Sequence, residues 1–276
     1  MALRRTWGAN VMSIKSKIDG IRLIWRFDNR WQLMAWRLVF PHEPINIYRL
    51  GDVQFLSDCS AGDANGAREV IATSMYRKFI PTMKLTSPLK VFDVGANNGG
   101  FPLLLKALGY ALEKTVCVEM NPNTFSRLRF NIESNLRDNC VLYNAAVCGV
   151  ARELELNLGT GGTSDTIYQK GQPQEASRTY KIRGMTFDDI YASAFGDDIV
   201  DVCKIDIEGA EYEVFASLNH KAIARCRYMI IEIHDGEGRE PEQVVRKLQA
   251  SGFVELPVKK GVSEAVYGFK NTALVP

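Results

Sequence analysis

Short apolar runs alternate with amphipathic segments along the chain from Leu89 onward. Short apolar runs predict buried strands, whereas apolar residues spaced three and four apart predict helices. The predicted strands are 89–94, 115–119, 140–143, 201–206, 227–233, 253–256 and 266–270, and the predicted helices are 99–109, 122–135, 186–193, 209–218 and 241–251. Strands that alternate with helices predict an α/β fold, with a mostly parallel sheet covered by helices on both faces.

The N-terminal part of the chain has a different pattern. Two short β-prone runs, 45–48 and 53–56, flank a glycine-containing turn and predict a small hairpin. Residues 66–80 have the apolar spacing of a helix. We therefore predict an N-terminal extension at 1–84, made of a helical arm, the hairpin and a helix, followed by the main domain at 85–276.

Polar residues follow the apolar part of five predicted strands. Ligands of parallel sheets bind in the crevice beyond the carboxyl ends of the strands. This rule places Asp93, Glu119, Asn144, Asp206 and His234 at one edge of the sheet. We expect the functional site at this edge.

A glycine-rich turn, 95–100, follows the strand that ends near Asp93 and leads into a helix. Glycine permits a tight turn and a close approach of the backbone to a ligand. A dinucleotide-binding turn requires glycine where Asn97 stands, and Asp93 would repel a pyrophosphate. An NAD-linked oxidoreductase is therefore disfavoured.

S-adenosylmethionine fits the same residues better, because it has no phosphate and carries an ammonium and a sulfonium group. The negative charge of Asp93 would then attract these positive groups. Glu119, at the end of the next strand, would bind the two ribose hydroxyls. In the alternative interpretation, the turn is only a connection in which Asp93 caps the helix. The sequence favours S-adenosylmethionine as the cofactor.

A second motif ends another apolar strand with three carboxylates, Asp206, Glu208 and Glu211. Glu208 and Glu211 complement the N-terminus of the following helix in a purely structural interpretation, which we favour for Glu211. Asp206 ends a buried strand at the ligand-binding edge, so we expect it in the site. Glu232 and His234 alternate along the next strand and therefore share a face near the same edge.

Methyl transfer requires an oriented acceptor, a dry site and removal of a proton from the acceptor. We expect a neutral His234 to take this proton, with Asp206 sharing the task or holding the acceptor hydroxyl. His234 is also compatible with a structural role. Asp206, Glu208 and His234 could alternatively hold Mg²⁺, but no further carboxylate arrangement requires a metal, and we predict none.

Basic and aromatic residues are concentrated near the N-terminus. Residues 1–40 contain eight basic and two acidic residues, a net charge of +6, together with all four tryptophans of the chain, whereas the remaining residues sum to −4. This composition suits a helix on an anionic membrane surface. It also suits an arm packed on its own domain or on a second subunit, since Lys and Arg stems cover apolar surface well.

Composition places the chain among ordinary globular proteins, with 46% hydrophobic and 24% charged residues. No apolar run approaches the length of a transmembrane helix, and charged residues interrupt the core that a signal peptide would need. The six cysteines are scattered and none forms a C-x-x-C pair, so we expect them to be reduced, without a zinc site. These features predict a cytoplasmic protein.

Two features of the sequence argue against nucleic acid as a partner. Enzymes that methylate the exocyclic amines of bases typically carry an Asn/Asp/Ser-Pro-Pro-aromatic sequence after this strand, to hold the flipped base. Here Asp206 is followed by Ile207, Glu208 and Gly209 instead. The acidic remainder of the chain also lacks an evident track for phosphates.

Four segments together resemble the FkbM family of S-adenosylmethionine-dependent methyltransferases. They are Val91 to Gly100 (VFDVGANNGG), Val118 to Asn123, Asn144 to Val147 and Lys204 to Glu211 (KIDIEGAE). The resemblance covers residues 45–255. It implies a Rossmann-like class I methyltransferase fold with an antiparallel last strand, and O-methylation of a hydroxyl on a sugar, glycan or natural-product acceptor.

The resemblance and the edge rule together define the candidate site. The candidate cofactor-binding residues are Asp93, Gly95, Ala96, Asn97, Gly99, Glu119, Met120, Asn144, Ala145 and Asp206, and the candidate catalytic residues are Asp206, Glu208 and His234. The regular alternation breaks between 146 and 183, and the Gly-rich stretch 159–166 there is interpreted as a substrate loop or as an ordinary connection. An alternative function is a membrane-docked or scaffold protein that keeps the cofactor-binding fold without catalysis.

Overall fold

The computed structural model describes most of the chain. The described residues are 20–60, 63, 66–158, 166–167, 178–217, 221–234, 238–258 and 265–275. The strands are β1 (Ile45–Leu50), β2 (Val53–Asp58), β3 (Leu89–Val94), β4 (Leu112–Glu119), β5 (Cys140–Asn144), β6 (Ala146–Cys148), β7 (Arg152–Leu158), β8 (Arg178–Thr186), β9 (Val200–Ile205), β10 (Cys226–Glu232), β11 (Phe253–Glu255) and β12 (Val266–Asn271). The α-helices are α1 (Arg30–Val39), α2 (Ala67–Ala72), α3 (Gly100–Ala107), α4 (Pro122–Leu136), α5 (Phe187–Phe195), α6 (Glu211–Ser217) and α7 (Pro241–Ala250).

A seven-stranded sheet forms the centre of the molecule, with strand order β11-β12-β10-β9-β3-β4-β5. The pairs among β10, β9, β3, β4 and β5 are all parallel, and β12 runs antiparallel to both β10 and β11. The predicted α/β fold with a mostly parallel sheet and an antiparallel last strand is therefore confirmed. Because five neighbouring strands run in one direction, their carboxyl ends meet at a single edge.

The sheet is buried on both faces by two hydrophobic clusters. Along β3, Val91 belongs to one cluster, whereas Phe92 and Val94 belong to the other, as expected from the alternation of side chains along a strand. The first cluster also contains Phe27 and Phe55 from the N-terminal extension. The extension therefore packs on one face of the sheet and shares its core.

The predicted hairpin forms as β1 and β2, which pair antiparallel from Ile45 to Asp58. The predicted helix at 66–80 is wrong beyond Ala72, where α2 ends. The side-chain oxygen of Thr73 accepts a hydrogen bond from the backbone N–H of Met75 at 3.3 Å, a local turn that competes with continuation of the helix. The chain then continues in turns to a short 3-10 helix at Ile80–Thr82.

The irregular segment between Ala146 and Thr186 contains a second, small sheet. Its strand order is β6-β8-β7, in which β8 is parallel to β6 and antiparallel to β7. This sheet follows directly after β5, so it lies near the carboxyl edge of the main sheet. It accounts for the break in the strand-helix alternation.

The arm before the hairpin is helical at 20–24 and in α1. Only Leu33 of α1 is buried. Within the described ranges, no helix has the length and apolar character needed to cross a bilayer. None of the six cysteines forms a disulfide.

Candidate functional site

The two sequence motifs touch each other at Gly95. This residue has a φ of 76°, and a Cβ atom built on it would collide with the backbone carbonyl oxygen of Asp206. Only glycine fits this approach without a shift of the backbone. Asn97, with φ 47°, also adopts the left-handed conformation, which asparagine tolerates better than most residues.

Glu119, at the end of β4, is held against the glycine-rich turn. Its Oε2 accepts a hydrogen bond from the backbone N–H of Asn97 at 3.0 Å, and its Oε1 accepts one from Asn121 at 2.8 Å. Asn144 donates from its side chain to the carbonyl oxygens of Glu119 and Met120, at 2.9 and 3.0 Å. Asn144 therefore orders the loop after β4.

A cavity of about 270 Å³ opens at the carboxyl edge of the sheet. It is lined by the following predicted site residues: Gly95, Ala96, Asn97, Glu119, Met120, Ala145, Asp206 and Glu208. Among the described residues that line it, Lys204 is the only basic one, while the carboxylates come from Glu69, Glu119, Asp206, Glu208 and Glu232. The cavity therefore suits neutral or cationic ligands and disfavours phosphates.

Three predicted cofactor-binding residues do not line this cavity: Asp93, Gly99 and Asn144. Gly99 has a φ of 96°, and a Cβ there would press on Ile132 of α4, so its role is to start α3. The Asp93 carboxyl lies behind the turn and is almost fully buried. Asp93 contacts Lys204, which does line the cavity.

Lys204 connects the two acidic residues at the ends of β3 and β9. Its Nζ lies 3.5 Å from Asp93 Oδ1 and 3.3 Å from Asp206 Oδ2, and it donates a hydrogen bond to the carbonyl of Gly95. Burial raises the pKa of Asp93 to about 6, although Lys204 opposes this shift. Burial alone would lower the pKa of Lys204, but Asp206 and Asp93 hold it above its ordinary value.

The sequence interpretation did not include Lys204 in the site. The available signal was a lysine inside the apolar strand β9, because buried lysines are rare unless they are paired. Asp93 was predicted as a site residue from the sequence. Its position opposite Lys204 depends on the register of β3 and β9, which is a property of the folded sheet.

Tyr76 also reaches the site, from the turns after α2. Its hydroxyl lies 3.0 Å from Asp206 Oδ2 and 3.2 Å from Glu232 Oε2. A phenol has one proton, so it can donate to only one of these carboxylates at a time. Burial and the two neighbouring carboxylates raise the pKa of Tyr76 well above its ordinary value, so the hydroxyl stays protonated.

Burial also raises the pKa of Glu232, and Asp206 raises it further. From the sequence, Glu232 was expected near the edge and Tyr76 fell within the predicted helix at 66–80, so neither was named as a site residue.

His234 lies among four carboxylates. Its Nδ1 is 3.2 Å from Glu211 Oε1, and its Nε2 is 3.4 Å from Glu208, 3.9 Å from Asp206 and 4.0 Å from Glu232. Burial lowers the pKa of His234, but the hydrogen bond to Glu211 and the adjacent carboxylates outweigh this and raise it to about 9. His234 is therefore an imidazolium at neutral pH, unlike the neutral imidazole expected from the sequence.

Glu211 is fully buried at the start of α6 and has a more specific role than the helix-terminus effect favoured from the sequence. The same Oε1 that contacts His234 accepts a hydrogen bond from the backbone N–H of Ile207 at 3.0 Å. Glu211 therefore orients the His234 ring and the loop after β9 together.

Glu208 lines the cavity and has a pKa near neutrality. Burial, opposed by His234 and supported by the surrounding acids, raises the pKa of Glu208 to about 7. Its φ of 52° is unusual for a residue other than glycine, and such backbone strain is often retained where a side chain must be aimed. Gly209 follows with a φ of 95° and completes the turn.

Asp206, Glu208 and His234 also form a possible donor set for a cation, since one ligand atom from each lies within 4.8 Å of the others. The described ranges contain no other group of three or more such side chains at this spacing. The absence of a metal stays a prediction.

The proposed substrate loop is mostly outside the described residues, which include only Thr166 of the stretch 159–166. Ile167, the next described residue, lines the cavity. The loop interpretation therefore stays a prediction.

One family model matches more than half of the chain. The model of a family described as "Methyltransferase FkbM domain" matches residues 93–255. No curated protein matches the chain significantly.

Several solved structures resemble the chain at low identity. The methyltransferase FkbM from Methylobacillus flagellatus KT is 13% identical, with a TM-score of 0.47 over 93% of this chain and 59% of that one. Trm5b from Pyrococcus abyssi is 16% identical, with a TM-score of 0.42 over 83% and 55%. Trm5 from Methanocaldococcus jannaschii, solved in complex with adenosine, is 12% identical, with a TM-score of 0.43 over 83% and 56%. The chain thus spans less than two thirds of the length of each.

Proposed function

The chain belongs to the FkbM methyltransferase family, and we propose that it uses S-adenosylmethionine to methylate a hydroxyl group of a sugar, glycan or natural-product acceptor. The observation that carries this proposal is the acidic cavity at the carboxyl edge of the sheet. One side of the cavity is formed by the glycine-rich turn and Glu119, and the other by Asp206, Glu208 and Glu232. When bound, the cofactor supplies an activated methyl group.

The residues on the turn side fit the cofactor by their chemistry. Gly95 lets the glycine-rich turn approach the backbone of Asp206 closely, and Glu119 presents a carboxylate that suits ribose hydroxyls. The excess of carboxylates over basic groups among the described lining residues favours a ligand with ammonium and sulfonium charges. Asp93 supports this side indirectly, by holding Lys204.

The residues on the other side fit the removal of a proton from a hydroxyl. We assign the base to Glu208, because it lines the cavity and its pKa of about 7 leaves a large carboxylate fraction at neutral pH. The acceptor proton moves to a carboxylate oxygen of Glu208. The His234 imidazolium, 3.4 Å from Glu208, stabilises the carboxylate before the transfer.

Asp206 is placed to hold the acceptor. Its Oδ2 is fixed by Tyr76 and Lys204, whereas the residue itself lines the cavity. A carboxylate fixed in this way accepts a hydrogen bond from the acceptor and orients it.

Calorimetry with S-adenosylhomocysteine tests the cofactor assignment. We expect E119A to weaken binding at least about tenfold, corresponding to the loss of charge-assisted hydrogen bonds of about 1.5–3 kcal/mol. The matched control is E113A, which removes an exposed carboxylate from the same strand. Equal affinity of E119A and the unmodified protein would remove Glu119 from the cofactor site.

The acceptor class is tested separately by mass spectrometry. The full chain is incubated with S-adenosylmethionine and a panel of neutral sugars, amino sugars, glycans, polyketides and transfer RNA. We expect the gain of a methyl group on a hydroxyl-bearing, non-anionic acceptor. Methylation of RNA alone would overturn the proposed acceptor class without affecting the cofactor assignment.

A further inference from the structure

The outward face of α1 is apolar, which is unusual for a helix on a protein surface in water. With 3.6 residues per turn, Trp31, Ala35 and Leu38 lie on one face of this helix. Trp31 is 64% exposed and Leu38 81%, and Ala35 is exposed as well. Leu33, on another face, is the only buried residue of the helix. The apolar side chains on this face of α1 therefore remain largely exposed.

Further apolar residues of the arm and of β1 are exposed as well. Trp25 contacts Trp31 with ring centroids 5.0 Å apart, and Trp36 contacts Phe40 at 4.4 Å. We call the exposed set the arm surface. It consists of Trp25, Trp31, Ala35, Trp36, Leu38, Val39, Phe40, Ile45 and Ile47.

The arm is joined to β1 by specific hydrogen bonds. The side chain of Asn29 donates to the carbonyl of Ile47 at 2.8 Å and accepts from the N–H of Arg49 at 3.1 Å. Phe27, just before, is fully buried against Tyr48 and Phe55. The base of α1 is thus anchored to the hairpin, and the arm surface is presented by a folded part of the molecule.

Positive charge accompanies the apolar residues. Residues 20–40 contain four arginines, Arg22, Arg26, Arg30 and Arg37, and one acidic residue, Asp28. Arg30 lies over the ring of Trp25, with 5.7 Å to its centroid. Interleaved tryptophan, aliphatic and arginine side chains match the boundary between lipid headgroups and acyl chains, where indole rings and guanidinium groups are both favourable.

We propose that the arm surface docks this protein on an anionic lipid bilayer. The apolar side chains enter the headgroup boundary, and the arginines contact lipid phosphates. A second copy of the chain is a poorer partner, because a symmetric contact would bring two arms of the same positive charge together. The negative charge of an anionic membrane complements the arm directly.

Co-sedimentation of the full chain with vesicles tests the proposal. We expect at least tenfold stronger binding to phosphatidylcholine vesicles containing phosphatidylglycerol than to phosphatidylcholine alone, with a decrease at high salt. The double variant W31E/L38E should lose at least tenfold in binding. The controls V150E and V254E, which place the same charge at exposed apolar positions elsewhere, should bind as the unmodified chain does.

A second variant separates charge from apolar contact. R26E/R37E keeps the apolar residues, so it should lose the preference for anionic vesicles even if W31E/L38E folds poorly. Equal binding to both vesicle types, or equal loss in the control variants, would overturn the proposal. A concentration-dependent dimer in light scattering without vesicle binding would overturn it in favour of a second copy. Vesicle binding does not require methyl transfer, so either proposal can fail without the other.

Discussion

The hydroxyl of Tyr76 lies 3.0 Å from Oδ2 of Asp206 and so joins the N-terminal extension to the motif at the end of β9. The same hydroxyl lies 3.2 Å from Glu232, at the end of the neighbouring strand β10. The site is therefore completed by a residue that precedes the main sheet in sequence. The Tyr76 hydroxyl positions the carboxylates of Asp206 and Glu232 and donates a hydrogen bond to one of them at a time.

Replacing this hydroxyl tests that contribution. We expect Y76F to lower kcat at least about tenfold, because a hydrogen bond to a charged group contributes about 1.5–3 kcal/mol. Affinity for S-adenosylhomocysteine should change little, since Tyr76 contacts the acidic side of the site. The matched control is Y191F, which removes a phenol hydroxyl bonded to the carbonyl of Asp198. Equal kcat values for Y76F and the unmodified protein would contradict the positioning role.

Ionised Asp93 should lower the free energy of unfolding at neutral pH. Its pKa of about 6 lies above the ordinary value of 3.8, so the unfolded chain releases this proton first and the free energy of unfolding falls as pH rises from about 4 to 6. We expect D93N to raise the free energy of unfolding at pH 7.5 by at most about 3 kcal/mol, a bound that already includes the attraction of Lys204 to ionised Asp93. At pH 4 the gain should disappear.

The same variant should weaken cofactor binding, because Lys204 would no longer be held between two carboxylates. Thermal unfolding at both pH values and calorimetry with S-adenosylhomocysteine measure the two effects. D138N is a suitable control, since Asp138 is an exposed residue outside the site. A D93N protein less stable than the unmodified one at pH 7.5 would refute the linkage.

Local patterns were sufficient for most of the fold. Apolar runs located β3 and β5 to within one residue, because each is a short segment rich in apolar residues. The edge containing Glu119 and Asp206 followed from the common direction of the strands. The helix predicted at 66–80 extended too far, since the Thr73 turn is a local side-chain effect that apolar spacing does not reveal.

Contacts between distant segments were beyond local patterns. The pair of Asp93 and Lys204 depends on the register of β3 and β9, and the bond of Glu211 to His234 depends on where α6 begins. These contacts decide protonation, and they change His234 from the expected neutral base to an imidazolium. The ionisable groups at the edge can be predicted from the sequence, but the protonation state of each group depends on contacts that form only in the folded protein.

The pH dependence of kcat should be bell-shaped. The rate should rise as Glu208 loses its proton near pH 7 and fall as His234 loses its proton near pH 9. E208Q should lower kcat about a hundredfold and abolish the rising limb, within the range for loss of a general base. E242Q, at an exposed position in the first turn of α7, is the control. An unchanged rising limb in E208Q would assign the base to another group.

Removal of metal ions provides an independent check on His234. Asp206, Glu208 and His234 have the spacing of a divalent-cation site, yet we expect kcat to be unchanged after dialysis against EDTA. The reason is that a protonated His234 already places positive charge 3.4 Å from Glu208 and 3.9 Å from Asp206. Protein dialysed without EDTA is the control, and Mn²⁺ titration by calorimetry reports binding directly. Loss of activity that Mg²⁺ restores, together with Mn²⁺ binding that H234Q abolishes, would show instead that these side chains coordinate a metal and that His234 is neutral in the active protein.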